Sequence, residues 1–206
     1  TVNMNALEQT GKVLDLAQSP VAFLTGREAP ELTDRQVELL RDYIGQGGFL
    51  LACPNCDGQG FDQGFRALIK RMYPQGDAEL KRLSDDHPIF RAEYLLDPET
   101  VYLEGVDLGC RTPIVYCPDD LSCLWDKWSR FDPPKRNARM KSMITRATRI
   151  GVNVVAYATG REPPNKLKQQ EQQLVDGQQD KVERGFLQIA KLRHTGGWDA
   201  APQALR

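Results

Sequence analysis

Along residues 21 to 72 the apolar positions switch between two spacings, and each switch marks an element. Val21-Ala22-Phe23-Leu24 is a continuous apolar run of strand length, ended by Thr25-Gly26. Thr33 then begins a helix, with Gln36 three residues on, as a capping box requires. Val37, Leu40, Tyr43 and Ile44 recur at helical intervals and define one buried face. Gly45, Gly47 and Gly48 end the helix, and Phe49-Leu50-Leu51-Ala52 is a second strand. Two strands joined through one helix are most simply parallel. After the loop Cys53-Pro54-Asn55-Cys56, a helical stripe of Phe61, Phe65, Leu68, Ile69 and Met72 runs up to Pro74.

Past this unit the pattern thins. Residues 75 to 100 are polar and punctuated by His87-Pro88 and Asp97-Pro98, which predicts loop with short turns. Pro113 to Cys117 reads as a third strand. Asn137 can cap a helix carrying Met140, Met143, Ile144, Ala147 and Ile150, which Gly151 closes, and Val152 to Ala158 reads as a fourth strand. Residues 165 to 185 are rich in Gln, Lys, Glu and Asp and predict a linker or solvated helix. Residues 186 to 192 fit helix or strand, and Thr195-Gly196-Gly197 breaks them off. Phe23-Leu24-Thr25-Gly26-Arg27-Glu28-Ala29-Pro30 is echoed by Tyr157-Ala158-Thr159-Gly160-Arg161-Glu162-Pro163-Pro164. The echo places both copies at strand exits, as good exit sequences or as two walls of one crevice.

Several blocks resemble a known family. They are Phe23 to Gly26, Leu32-Thr33-Asp34, Leu40 to Tyr43, Gly47 to Leu51, Phe61-Asp62 with Phe65-Arg66, Asp86 to Phe90, Gly109 to Pro113, Asp120 to Cys123 and Ala156 to Pro164. Together they resemble an uncharacterised bacterial domain-of-unknown-function family, related in fold to class I glutamine amidotransferases and trehalose-utilisation-like proteins. The resemblance implies an α/β, three-layer flavodoxin-like domain with a mostly parallel sheet over residues 1–164. It implies no activity, and it implies a part of a larger bacterial protein, exported or membrane-anchored. Gln188 to Leu192 with Gly196-Gly197-Trp198-Asp199 is similar to the strand and turn that open such domains. Residues 186–206 are therefore expected to pack beside the 21–24 strand and complete the sheet, in the same chain or in a neighbouring copy. The start at Thr1 predicts a processed or excised piece.

Composition narrows the function classes. The formal net charge is -1, so no global field draws nucleic acid or anionic membrane. Eight cations between Lys127 and Arg149 face a lone acid, Asp132, and read as a solvated helix face. No run of about 18 apolar residues exists to span a bilayer.

Candidate chemistry gathers at the cysteine loop. Pro54-Asn55-Cys56-Asp57-Gly58 is one residue short of the Gly-x-Cys-x-Gly nucleophile elbow, with Pro54 in place of the first glycine. Such an elbow exposes a thiol where a helix begins, which stabilises the thiolate. A hydrolase of this kind would use Cys56 as nucleophile and His87 as base, yet the related enzymes keep a late His-x-Glu, and neither His87 nor His194 is followed by one. Cys53 and Cys56 also read as a redox pair, or as two of four zinc ligands with Cys110, Cys117 or Cys123. The plainest reading is of incidental thiols, with a Cys110–Cys123 disulfide. No metal or cofactor is assigned. The favoured expectation is a binding domain, without a complete triad, for an unidentified ligand or protein partner, with self-association through 186–206 as a further reading. Its ligand edge comprises Thr25, Gly26, Arg27, Glu28, Cys53, Asn55, Asp57, Gly58, Arg111, Asp120, Ser122, Trp125, Thr159, Arg161 and Glu162.

Overall fold

The computed structural model describes residues 2–10, 16, 19–56, 58–76, 78–127, 136–160 and 189–199. Its strands are β1 (Val2–Asn3), β2 (Val21–Gly26), β3 (Phe49–Pro54), β4 (Lys81–Arg82), β5 (Glu104–Leu108), β6 (Arg111–Tyr116) and β7 (Ile189–Arg193). Its helices are α1 (Met4–Thr10), α2 (Asp34–Gly45), α3 (Gln59–Met72), α4 (Leu121–Asp126) and α5 (Ala138–Ala158), with a 3₁₀ turn at Pro88–Arg91. Six strands form a mixed sheet in the order β7-β2-β3-β6-β5-β4, and the short β1 adds beside β7. From β1 to β6 the neighbours are parallel, while β5 and β4 are antiparallel additions at the far edge.

The strand–helix–strand–helix unit forms as the spacing predicts. Thr33 and Gln36 make both bonds of the capping box, and β2 pairs with β3 in parallel from Val21↔Phe49 to Gly26↔Pro54. Both strands are buried along their whole length, so alternate residues feed two cores. Ala22, Leu24, Leu50 and Ala52 pack under α2 and α3 with Leu40, Ile44, Phe61 and Phe65. Val21, Phe23, Phe49 and Leu51 pack under α5 with Ala147, Ile150 and Val154.

Three expectations are corrected. Residues 152 to 158 are the last turns of α5, not a strand, and Gly151 lies inside that helix. Its role is space. A Cβ there would lie 2.6 Å from Trp125 Cζ2, and the indole instead crosses the helix and donates from Nε1 to the Ala147 carbonyl at 3.0 Å. Asn153 serves the inner face of the same turn, donating to the Ile89 and Tyr94 carbonyls at 2.8 Å. The echoed Thr159-Gly160 therefore leaves a helix while Thr25-Gly26 leaves a strand. Finally, Lys81–Arg82, inside the stretch expected as loop, is a short strand, and its partner is Glu104–Leu108, a strand where the sequence pattern assigned no element. It forms a hairpin with β6 across Gly109-Cys110, with an irregularity in register opposite Pro113, whose nitrogen has no hydrogen to give.

β7 comes from the far end of the chain, yet it lies between β1 and β2, parallel to both, with Val21 opposite Ile189. Asp57, Trp128, Arg161, Glu162, residues 165–188 and residues 200–206 lie outside the described residues.

Candidate functional site

The parallel strands end together, and the residues just beyond their carboxyl ends form a tightly bonded cluster. β3 runs into Asn55 and Cys56, and Cys56 takes φ 46°, a conformation uncommon for a residue with a side chain. Asp120 holds that turn. One carboxylate oxygen accepts the Cys56 amide at 2.7 Å, and the other accepts the Cys123 amide at 2.8 Å and the Ser122 hydroxyl at 3.1 Å. Asp120 thus caps α4 and ties it to the loop after β3. Cys56 and Cys123 are joined by a disulfide, with Cα atoms 6.3 Å apart. This replaces the expected Cys110–Cys123 bond, because Cys110 sits on the β5–β6 hairpin as an exposed free thiol. Asn55 is fully buried, with Oδ1 3.0 Å from Cys123 Sγ and, among the described residues, no partner for Nδ2.

Beneath this cluster the expected wall residues are packed core. Thr25, Cys53 and Ser122 are buried; Thr25 Oγ1 donates to Ser122 Oγ at 3.3 Å, and the Cys53 thiol lies 3.8 Å from Thr25 Oγ1. Burial pushes the Cys53 thiol up to about 12, and Cys56 is bonded to Cys123 instead of to it. Cys117, also buried, is raised for the same reason.

The turn after β7 covers the end of β2. His194 Nε2 donates to the Thr25 carbonyl at 2.9 Å, and its Nδ1 accepts the Gly196 amide at 3.0 Å. The Gly196 carbonyl accepts the Arg27 and Glu28 amides at 3.0 and 3.3 Å. Only glycine fits this approach, since a Cβ on Gly196 would stand 2.6 and 2.7 Å from the Ala29 and Glu28 carbonyl oxygens. Beside the turn opens a polar cleft of about 250 Å³, walled by Asn3, Asn5, Glu31, Gln36, Arg193 and Trp198 among others. Lys191 and Arg193 both lie over the Trp198 ring, at 5.5 and 5.6 Å from its centroid.

Arg111, His87 and Thr159 lie at the opposite edge. Arg111 begins β6, and its guanidinium donates to the Gly47 and Ile44 carbonyls at the end of α2. His87 packs on Tyr157, faces Thr112 at 3.1 Å and accepts the Ile89 amide on Nδ1. The parallel register sets Leu50 opposite Ile114, so Thr112 and His87 lie near the amino end of β3 while Cys56 lies past its carboxyl end. At about 3.3 Å per residue the two are roughly 20 Å apart. Cys56 and His87 are not brought together. Thr159, at the end of the helix whose Tyr157 accepts the Thr112 amide, lies at this same amino edge.

Residues 8–159 match the family model of a domain of unknown function, DUF4159. The chain belongs to the DUF4159 family. No curated protein matches it. The DUF4159 segment contains Cys56, Asp120 and Cys123, whereas β7 and seven of the nine cleft residues, Asn3 to Asn5, Arg193 to Thr195 and Trp198, lie outside it. Sequence reasoning placed none of the nine cleft residues at the ligand edge and missed the Cys56–Cys123 pairing. The available signal was Asp120 three residues before Cys123, an N-cap spacing that puts this cysteine at a helix start beside the elbow.

Proposed function

We propose that the chain is a ligand-binding domain of a larger bacterial protein, flavodoxin-like and related in build to the class I glutamine amidotransferases, without their catalytic triad. Helices on both faces of a mostly parallel sheet and a positive-φ cysteine after a central strand support the fold assignment. The observation that carries the function is the cleft beside Arg193 and Trp198. It lies at the carboxyl edge of the parallel strands, where open α/β sheets receive ligands. At about 250 Å³ it falls below the ~300–1,000 Å³ of drug-sized sites. With amide donors and acceptors, a carboxylate, a guanidinium and an indole face, it suits a small polar molecule such as a monosaccharide or an amino acid. The reading treats β7 and its turn as part of the domain, since they supply that wall. A hydrolase using Cys56 and His87 has neither a free thiol in the disulfide form nor a nearby base.

The test is a thermal-shift panel of monosaccharides, amino acids and small carboxylates. A ligand at a hundred times its Kd should stabilise the fold by about 2.7 kcal/mol. Trp198→Ala should remove the shift. A panel with no saturable response, or a response that survives both Trp198→Ala and Arg193→Ala, would overturn the reading.

A further inference from the structure

The Cys56–Cys123 cluster has a property that a structural staple does not need. Cys56 Sγ, Cys123 Sγ and an Asp120 carboxylate oxygen all lie within 4.8 Å of one another. Asp120 binds the backbone amides of both cysteines, so the two sulfurs are held near each other by more than their own bond. Both cysteines are only partly buried, within reach of a thiol reductant.

Asn55 supplies a second and independent sign. Its side chain is fully buried, and its Nδ2 has no partner among the described residues. Its Oδ1 faces Cys123 Sγ at 3.0 Å, but a disulfide sulfur has no proton to donate. The buried amide is thus unsatisfied at both ends while the bond is closed, an unfavourable state for a polar group out of water. Opening the bond gives one end of the amide a partner. A Cys123 thiol can donate to Oδ1, and with the amide turned over, Nδ2 can donate to a Cys123 thiolate. An amide donor on a thiolate is the usual support of a metal-bound sulfur.

We propose that, once the Cys56–Cys123 bond is reduced, Cys56, Cys123 and Asp120 bind one divalent metal ion of the zinc class. A dithiol reductant supplies two electrons and two protons, becoming a disulfide itself, and the S–S bond becomes two thiols. The metal ion then displaces the two thiol protons to water. Two thiolates with one carboxylate favour zinc-like ions over magnesium or calcium, which take oxygen ligands. Three protein ligands leave a fourth position for water or a ligand atom.

Cobalt(II) is the probe, added to the full chain carrying Cys110→Ser so that the exposed thiol cannot contribute. The reduced, desalted protein should bind one equivalent and show a thiolate-to-cobalt charge-transfer band; the oxidised protein should show none. Cys123→Ser should lose the band, and Asn55→Ala should weaken binding about 10- to 100-fold. Circular dichroism checks that each variant is folded, and the oxidised-against-reduced comparison needs no change at the cluster at all. No band in the reduced protein, or an unchanged band in folded Cys123→Ser, would overturn the proposal. Cobalt loading does not use the Trp198 cleft, so this result and the organic-ligand panel succeed or fail separately.

Discussion

The two ends of the parallel strands each carry one of the chain's two histidines, and the two rings are wired alike. At the amino edge, His87 accepts the Ile89 amide on Nδ1 and meets Thr112 with Nε2. At the carboxyl edge, His194 accepts the Gly196 amide on Nδ1 and donates to the Thr25 carbonyl from Nε2. Each ring therefore ties a turn two residues on to a neighbouring strand. The edges differ in what surrounds the ring. At the amino edge the Thr112 hydroxyl that meets the ring is itself bonded to Asp107, and Arg111 reaches two carbonyls. At the carboxyl edge stand a disulfide, a carboxylate shared by two loops, an orphaned buried amide and a polar cleft. A histidine near a cysteine-bearing fold is thus no sign of catalysis by itself; the unsatisfied groups are the better guide.

The largest expected effect sharpens this contrast through the disulfide. It closes a loop of 67 residues, and such a cross-link stabilises by about 2–4 kcal/mol, chiefly through the unfolded chain. Guanidinium unfolding with and without a dithiol reductant should differ by that amount. The Cys56→Ala/Cys123→Ala protein should show no such difference; a difference that persists there would mean that another bond carries it.

The second effect concerns the histidines. Burial holds both His87 and His194 below the usual histidine range, with Asp107 opposing it at His87 and the Thr25 carbonyl opposing it at His194. The unfolded chain then binds protons first, so stability is full above the ordinary value near 6.5 and falls as pH drops below it. Protonating Nδ1 also breaks each amide bond. His194, 8% exposed, is the more deeply set, so His194→Gln should flatten the slope between pH 7.5 and 5 more than His87→Gln. Equal or reversed effects in urea titrations would put the acid-sensitive lock at the wrong edge.

The smallest effect separates the thiols. Cys110 is exposed, whereas Cys53 and Cys117 are buried with raised thiols. In the oxidised native protein a maleimide should label Cys110 alone, and Cys110→Ser should change stability by less than about 0.5 kcal/mol. Rapid labelling of a second cysteine would show that the carboxyl-edge bond is open.

Much of the fold was legible because its central unit is locally consistent. The Thr33–Gln36 cap, the Val37 to Ile44 stripe and two fully buried strands all specify the same answer. The last third of α5 was not legible, because Val-Asn-Val-Val is a strand-like string, and the contacts it makes as helix, Trp125 over Gly151 and Asn153 on the Ile89 carbonyl, are tertiary. Glu104–Leu108 was hidden by its polar neighbours and by its pairing with β6 rather than by its own pattern. At the site, the elbow loop and Asp120 could be read locally, but the mate of Cys56 lies 67 residues away and no local spacing names it. Arg111 and Thr159 were placed with the carboxyl edge by motif, and the direction of β6 and α5 moves them to the other end.

The position of β7 has a consequence for how the molecule is made. It is the last strand among the described residues, yet it fills a place between β1 and β2 near the start. Until residues 189–193 have left the ribosome, β2 has an open edge with a four-residue apolar run, Val21 to Leu24, and β1 lacks the partner strand it has in the fold. Contacts between such distant parts of a chain form late and slowly. During synthesis, β2 is the segment most exposed to wrong pairing, and a chaperone that shields strand edges would find its target there.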